Sequence, residues 1–255
     1  MKVTLLGTGT SLGVPVIACD CPVCQSSDQR DKRMRTAALL ETNGQVWAID
    51  AGPDFRMQML QSKVKRLDGI FLTHEHRDHT AGLDDVRAFN WSTRNPIQIY
   101  GEERVLKSVQ REFSYAFQEY KYPGVPDFKL NQISNQPIHL DGLEVIPIRV
   151  FHHQLPVLGF RIGSFAYVTD ANCIPPEEMD KLQNLEVLII NGLRYESHLS
   201  HYSLPEAIEV IEQLNPKRAI ITHISHQLGL HEEVNKRLPS NVELGYDGMV
   251  IEIDH

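Results

Sequence analysis

The sequence predicts an α/β fold: a four-layered sandwich in which two sheets pack face to face and helices cover their outer faces. Apolar runs of strand length recur along the chain, they fall into two halves of similar style, and each half contains helical segments. With 255 residues and 42% hydrophobic content, the chain can bury a core without disulfides. We expect one domain over residues 1–255.

The first half opens with KVTLLGTG, where alternating residues predict a strand that runs into a tight glycine loop. AALLETNGQVWAIDAG predicts a hairpin, because the pair Asn43–Gly44 readily adopts the positive φ angles of its turn. LDGIFLTH and PIQIYG predict further strands. Helices are predicted over DVRAFNWS and residues 102–122, with a loop over residues 123–137.

The second half continues the pattern. Strands are predicted for LEVIPIRVFHH, GFRIG, FAYVTD, LEVLIING, RAIITHISH and MVIEI. LPEAIEVIEQLN predicts a helix, since Pro205 is tolerated near a helix start.

Charge and hydropathy exclude several classes of function. A net charge of −8 argues against a large nucleic-acid footprint, and we expect no stable nucleic-acid partner. The N-terminus lacks the pattern of a signal peptide, and no apolar run approaches the ~20 residues that cross a bilayer. We therefore expect a cytoplasmic protein without a membrane partner.

A dense group of metal-binding residue types follows the predicted strand LDGIFLTH: His74, His76, Asp78 and His79. Residues two apart on an extended segment face the same side, so His74 and His76 can converge on one ion. Asp78 and His79 come as the chain turns into a helix and can address a neighbouring position. Imidazoles mixed with carboxylate suit Zn, Mn or Fe.

Further ligand types end later strands: His153 after IPIRVF, Asp170 in FAYVTD and His223 in AIITH. We expect these strand ends to meet at one rim. In order, GTGTSLGVP, AIDAG, LTHEHRDH, HQLPVLGF, TDA and THISH resemble the metallo-β-lactamase superfamily over nearly the whole chain. The resemblance implies the αββα sandwich of that family.

The resemblance also implies two catalytic divalent ions, Zn or Mn. One ion would take His74, His76 and His153, the other would take Asp78, His79 and His223, and Asp170 would bridge them. FHHQLP offers two histidines; the spacing H-x-x-P-x-x-G to Gly159 resembles the phosphodiesterase branch and favours His153 over His152. His152 and Asp50 are then expected to pack or to orient ligands.

Three cysteines, Cys19, Cys21 and Cys24, cluster near the N-terminus and indicate a metal site more than a disulfide. Some superfamily members carry Cys-x-Cys-x-x-Cys there. Similarity to the cyclic phosphodiesterases of the carbon–phosphorus lyase pathway implies that His226 completes a structural zinc site. Cys173 stands alone and is expected to be a small buried side chain.

The expected function is hydrolysis of small or cyclic phosphodiesters by a hydroxide that bridges the two ions. The candidate catalytic residues are Asp78, which is also a ligand, and His201, which in SHYS resembles the family's proton donor. The expected partner is a small-molecule phosphodiester, and the resemblance allows a homodimer. Two alternatives are a ribonuclease similar to the tRNA 3′ endonucleases and a protein similar to pyrroloquinoline quinone biosynthesis protein B. A thioester hydrolase on the same fold is a further enzyme hypothesis.

Overall fold

The computed structural model describes residues 1–140 and 142–253, which contain two seven-stranded sheets. The first sheet contains β1 (Lys2–Gly7), β2 (Ala37–Thr42), β3 (Gln45–Ile49), β4 (Gly69–Phe71), β5 (Ile97–Gly101), β6 (Phe128–Gln132) and β14 (Val250–Glu252). Its spatial order is β14-β1-β2-β3-β4-β5-β6.

The second sheet contains β7 (Ile138–Leu140), β8 (Leu143–His152), β9 (Leu155–Ile162), β10 (Phe165–Val168), β11 (Val187–Asn191), β12 (Arg218–Thr222) and β13 (Val242–Leu244). Its order is β13-β12-β11-β10-β9-β8-β7. The helices are α1 (Pro22–Gln25), α2 (Phe55–Ser62), α3 (Arg77–Thr80), α4 (Arg87–Thr93), α5 (Glu103–Glu112), α6 (Pro176–Met179), α7 (Leu204–Leu214) and α8 (His231–Asn235).

Three hydrophobic clusters define the layers. The central cluster joins side chains of both sheets, among them Leu40, Phe71, Phe160 and Tyr167. A second cluster packs the first sheet against α2, α4 and α5, and a third packs the second sheet against α7. Each sheet is therefore covered on both faces, and the predicted four-layered sandwich is confirmed.

Strand direction brings the candidate site residues to one rim. β3, β4, β5 and β6 run parallel, as do β10, β11, β12 and β13, so their carboxyl ends lie at a common edge of each sheet. The rim joins the sheets: Leu158 donates its N–H to Thr73 O over 3.1 Å, and Ile224 donates to Thr8 O over 2.8 Å. The glycine loop after β1 lies here, since Gly9 bridges to Ile224.

The helix predicted over residues 102–122 is shorter in the structure. α5 ends at Glu112 and is followed by a 3-10 turn at Ser114–Phe117. Phe113 and Phe117 pack against Phe128 of β6 with ring centroids 6.0 and 5.8 Å apart, so burial of these rings pulls the chain out of the helical path.

Within the residues that the structure describes, every helix is too short or too polar to cross a membrane.

Candidate active site

Strand ends supply most of the polar side chains of the candidate site. His74 lies three residues after β4, His152 is the last residue of β8, Asp170 lies two residues after β10, and His223 directly follows β12. These residues meet at the rim in overlapping groups of potential metal ligands, which also include Asp78, His79 and His201. His153, which was also expected at this rim, belongs to none of these groups among the described residues.

Left-handed backbone marks several of these strand ends. Asp170 and His223 have φ angles of 57° and 55°, and Asp50, directly after β3, has a φ angle of 65°. Such values cost a non-glycine residue about 1–2 kcal/mol and persist where surrounding contacts hold them. The sharp turns let each side chain face the rim instead of continuing the strand.

Asp170 lies at the centre of the group. Its Oδ1 is 3.0 Å from His223 Nδ1, and its Oδ2 is 3.4 Å from His79 Nε2 and 3.9 Å from His74 Nε2. Thr169 donates its hydroxyl to Asp170 Oδ1 over 2.7 Å. The carboxylate therefore faces histidines on both sides, which is the arrangement a bridging ligand needs.

Asp78 and His76 complete the group toward solvent. Asp78 Oδ2 lies 3.4 Å from His79 Nε2, and Asp78 also groups with Asp170 and His223. His76 is exposed, but its Nδ1 lies 3.0 Å from His74 Nε2. The two nitrogens are close enough to address one ion, but among the described residues no group of three or more potential ligands includes His76.

The positions of His152 and His153, at the end of β8, correct the sequence-based choice of ligand. His153 is exposed, and none of the metal-ligand groups within residues 1–140 and 142–253 includes it. His152 instead groups with Asp170 and His201, and its ring centroid lies 5.7 Å from that of His74. His153 is the first residue after β8 and enters the β8–β9 turn, where its side chain is exposed.

Asp50 supports the group from beneath. It accepts hydrogen bonds from His79 Nδ1 over 2.6 Å and from the Thr73 N–H over 2.9 Å, and all three residues are fully buried. Because Nδ1 donates its hydrogen bond to Asp50, the other ring nitrogen of His79, Nε2, faces Asp170. The expected role of Asp50 in orienting a ligand agrees with these contacts.

Electrostatics prepare the group for cations. Burial lowers the pKa of His74 well below its usual range, so this imidazole is neutral at neutral pH. Burial raises the pKa of Asp170, but His223 and His79 outweigh that effect and hold the pKa well below its usual range. His74 is thus in the neutral form, beside an ionised Asp170, that metal ligation requires.

Within the part of the chain that the structure describes, three buried ring nitrogens lack hydrogen-bond partners, as expected for side chains that bind a metal. Among the described residues, His79 Nε2, His201 Nδ1 and His223 Nδ1 have no hydrogen-bond partner of proper geometry. Buried polar atoms without partners cost about 1–3 kcal/mol each, so natural proteins rarely keep them without a reason. Two of them, His79 Nε2 and His223 Nδ1, lie 3.4 and 3.0 Å from Asp170, and this arrangement fits divalent cations, as the donor set also does.

His201 lies beside the ligands. Its ring stacks on His223 with centroids 4.7 Å apart and lies 4.6 Å from His152. Burial, followed by the nearby His223, lowers the pKa of His201 to about 3. A phosphate anion bound next to the ring would favour the imidazolium and raise this pKa again.

The three clustered cysteines and His226 lie together. His226 Nδ1 lies 3.3 Å from the Sγ atoms of Cys19 and Cys21 and 3.6 Å from that of Cys24. The Cys24 N–H lowers the pKa of the Cys21 thiol to about 6, which favours its thiolate. Three sulfurs and one nitrogen around a common point form the donor set of a closed zinc site. Cys173, expected to be buried, is exposed on the turn after Asp170.

Two supporting residues had weak signals in the sequence. Thr73 precedes His74 and donates its hydroxyl to Asp50 over 2.8 Å. Asn172, two residues after Asp170, donates to Leu199 O over 3.2 Å in the segment that carries His201. A polar residue beside a predicted ligand at a strand end is the signal that could have found both.

Comparison with known proteins places the chain in a family. Residues 47–224 match the model of the beta-lactamase superfamily domain. A protein of Porphyromonas gingivalis named octanoyltransferase is 42% identical over 100% of this chain and 52% of its own length. Ribonuclease Z of Nostoc punctiforme is 28% identical over 64% of this chain and 47% of its own length. The chain thus spans about half the length of these curated relatives.

A solved structure of a diphosphatase from the PhnP family aligns with a TM-score of 0.93 at 37% identity, over 99% of this chain and 98% of that one. The alignment extends from the first sheet through the second and includes the rim. The chain therefore belongs to the beta-lactamase superfamily and has the metallo-β-lactamase fold.

Proposed function

We propose that the chain is a metal-dependent hydrolase that cleaves small or cyclic phosphodiesters. The observation that carries the proposal is the contact between His201 and the ligand group: His152, Asp170 and His201 offer ligand atoms within 4.8 Å of one another. A potential proton donor thus lies beside the place where ions and substrate would meet.

In the proposed site His74, His76 and His152 would hold one ion, and Asp78, His79 and His223 the other, with Asp170 between them. The cysteines and His226 would hold a structural zinc. Divalent cations bound at the catalytic pair supply Lewis-acid activation of water and neutralise charge on a phosphate. Asp170 and Asp50 keep the histidines in the orientation that this binding requires.

His201 would act on the leaving group. A phosphodiester that expels an alkoxide needs a proton at the departing oxygen, and a positioned acid contributes about 10²–10⁴-fold in rate. In its imidazolium form, favoured once phosphate is bound, His201 can donate that proton. The names of two similar proteins, a diphosphatase and a ribonuclease, also support chemistry at phosphorus.

The test is hydrolysis of bis-p-nitrophenyl phosphate by protein loaded with zinc or manganese. We expect turnover by the native chain and none by Asp170→Asn, with Asp127→Asn, an exposed carboxylate paired with Lys121, as the matched control. Absence of turnover with either metal, by folded protein of verified metal content, would refute the proposal.

A second candidate function comes from the relative named octanoyltransferase, which matches this chain from end to end. This chain aligns with only 52% of that relative, so the candidate takes the octanoyl group from the printed name and hydrolysis from the superfamily: water would cleave an octanoyl thioester to the free acid and the thiol. The same preparation should therefore be assayed with an octanoyl thioester. Turnover of the thioester without turnover of the phosphodiester would favour this second candidate.

A further inference from the structure

The segment that carries His201 is held from the opposite side of the site by three hydrogen bonds. This segment, residues 194–202, lies between β11 and α7. Tyr202 donates its N–H to Ala171 O over 2.7 Å, His152 Nδ1 donates to Ser200 O over 2.9 Å, and Asn172 Nδ2 donates to Leu199 O over 3.2 Å. Two of the three bonds come from the turn that follows Asp170.

Asn172 links this segment to a second feature of the site. Its Oδ1 accepts the backbone N–H of His153 over 2.7 Å, at the start of the β8–β9 turn. The side-chain amide of Asn172 thus accepts a hydrogen bond from the β8–β9 turn and donates one to the segment that carries His201. Because one end must accept and the other must donate, only an amide satisfies both partners.

The imidazole of His201 depends on this backbone for its position. Its Nδ1 has no hydrogen-bond partner within residues 1–140 and 142–253, and its ring contacts His152, His198 and His223. Ring packing limits the tilt of an imidazole but leaves sliding within the stack. The place of the segment backbone therefore sets the distance between His201 and the ligand group.

We propose that Asn172 is a positioning residue that fixes His201 next to Asp170 and His152. The expected effect on the reaction rate rests on the proposed function. The expected effect on the position of the segment rests on the geometry alone. Asn172→Asp keeps an oxygen for the His153 N–H but places a carboxylate oxygen against Leu199 O, so it removes one bond and leaves the other. It is a sharper probe than alanine.

The kinetic test compares two substrates. Expulsion of p-nitrophenolate from bis-p-nitrophenyl phosphate needs little help from an acid, whereas expulsion of an alkoxide from a dialkyl or cyclic alkyl phosphodiester, which has no aryl leaving group, needs a proton. For Asn172→Asp we expect about 10- to 100-fold loss on alkoxide release, part of the full effect of an acid. We expect less than about 3-fold loss on bis-p-nitrophenyl phosphate and unchanged metal content.

Two further variants connect the loss to His201. The double variant Asn172→Asp/His201→Ala should be no slower than His201→Ala, because a misplaced and an absent acid are equivalent. Ser197→Ala is the matched control, since Ser197 lies on the same segment but bonds Glu206 of α7. Equal losses on both substrates, or additive effects in the double variant, would overturn the proposal.

A readout independent of turnover separates this proposal from the proposed function. Amide hydrogen exchange over residues 195–202 should be faster in metal-loaded Asn172→Asp than in the native protein, and unchanged in Ser197→Ala. Unchanged exchange in Asn172→Asp would overturn the positioning role. If the native protein cleaves neither phosphodiester, the proposed function fails, and the exchange comparison still decides whether Asn172 holds the segment.

Discussion

His79 and Asp50 form a fully buried pair in which Nδ1 donates to a carboxylate oxygen over 2.6 Å, and neither side chain is exposed. Burial lowers the pKa of His79, but Asp170 and Asp50 outweigh it and raise the pKa well above its usual range. The pair fixes which ring nitrogen of His79 faces Asp170. Asp50 thus orients a proposed ligand, although its own carboxylate lies on the side of the ring away from Asp170.

Asp50→Asn should weaken metal binding while the chain still folds. The amide retains the shape of the carboxylate but loses the charge that makes His79 a stronger base, and loss of such a supporting partner costs about 10–100-fold in metal affinity. Titration with zinc or manganese, monitored by calorimetry, measures this change. Native affinity in Asp50→Asn would show that the pair is merely structural.

Substitutions of the two adjacent histidines at the end of β8 should have contrasting effects on turnover and metal content. His152→Ala is expected to lose turnover and part of the bound metal, because His152 faces Asp170 and His201. His153→Ala should retain both within about 2-fold, since an exposed side chain away from special contacts has small effects. Metal analysis and assay of the two purified variants check this. The reverse pattern would restore the sequence-based choice of His153.

Cys21→Ser should remove one equivalent of zinc and destabilise the fold. Loss of a structural metal belongs to the few changes that cost about 4 kcal/mol or more, which corresponds to a fall of about 8–16 °C in Tm for a chain of this size. Cys173→Ser is the control, because Cys173 is exposed and outside the cluster. Calorimetry and elemental analysis measure both quantities. Equal zinc content in the two variants would contradict the assignment of a structural zinc.

His201→Ala should reduce cleavage with an alkoxide leaving group by about 10²–10⁴-fold and leave the metal content intact. The physical reason is that His201 lies beside the ligands but its expected role is proton donation. Rates should be measured together with metal analysis of the same preparation. Loss of one metal equivalent would instead identify His201 as a ligand, and native rates would mean that another group supplies the proton.

Local patterns were enough to predict most of the fold. The Asn43–Gly44 turn between β2 and β3 is present, with φ angles of 50° and 72° at the two residues. The helix LPEAIEVIEQLN is present as α7, with Ser203 and Glu206 forming its capping box. The extent of α5 was mispredicted because the rings of Phe113 and Phe117 pack on Phe128 of β6, a tertiary contact that helical periodicity does not show.

The residue types of the candidate site and their spacing are properties of the sequence by itself: His74 and His76 two apart, Asp78 beside His79, and three cysteines within six positions. Local chemistry is enough to read them, because an extended segment has one geometry at short range. Only the tertiary structure decided between His152 and His153. His152 pairs with Leu155 of β9 and is the last residue of β8 in the ladder. His153 therefore enters the turn, and its side chain is exposed instead of facing the site. Strand pairing and the left-handed turn, which no short stretch specifies alone, set the direction of each side chain.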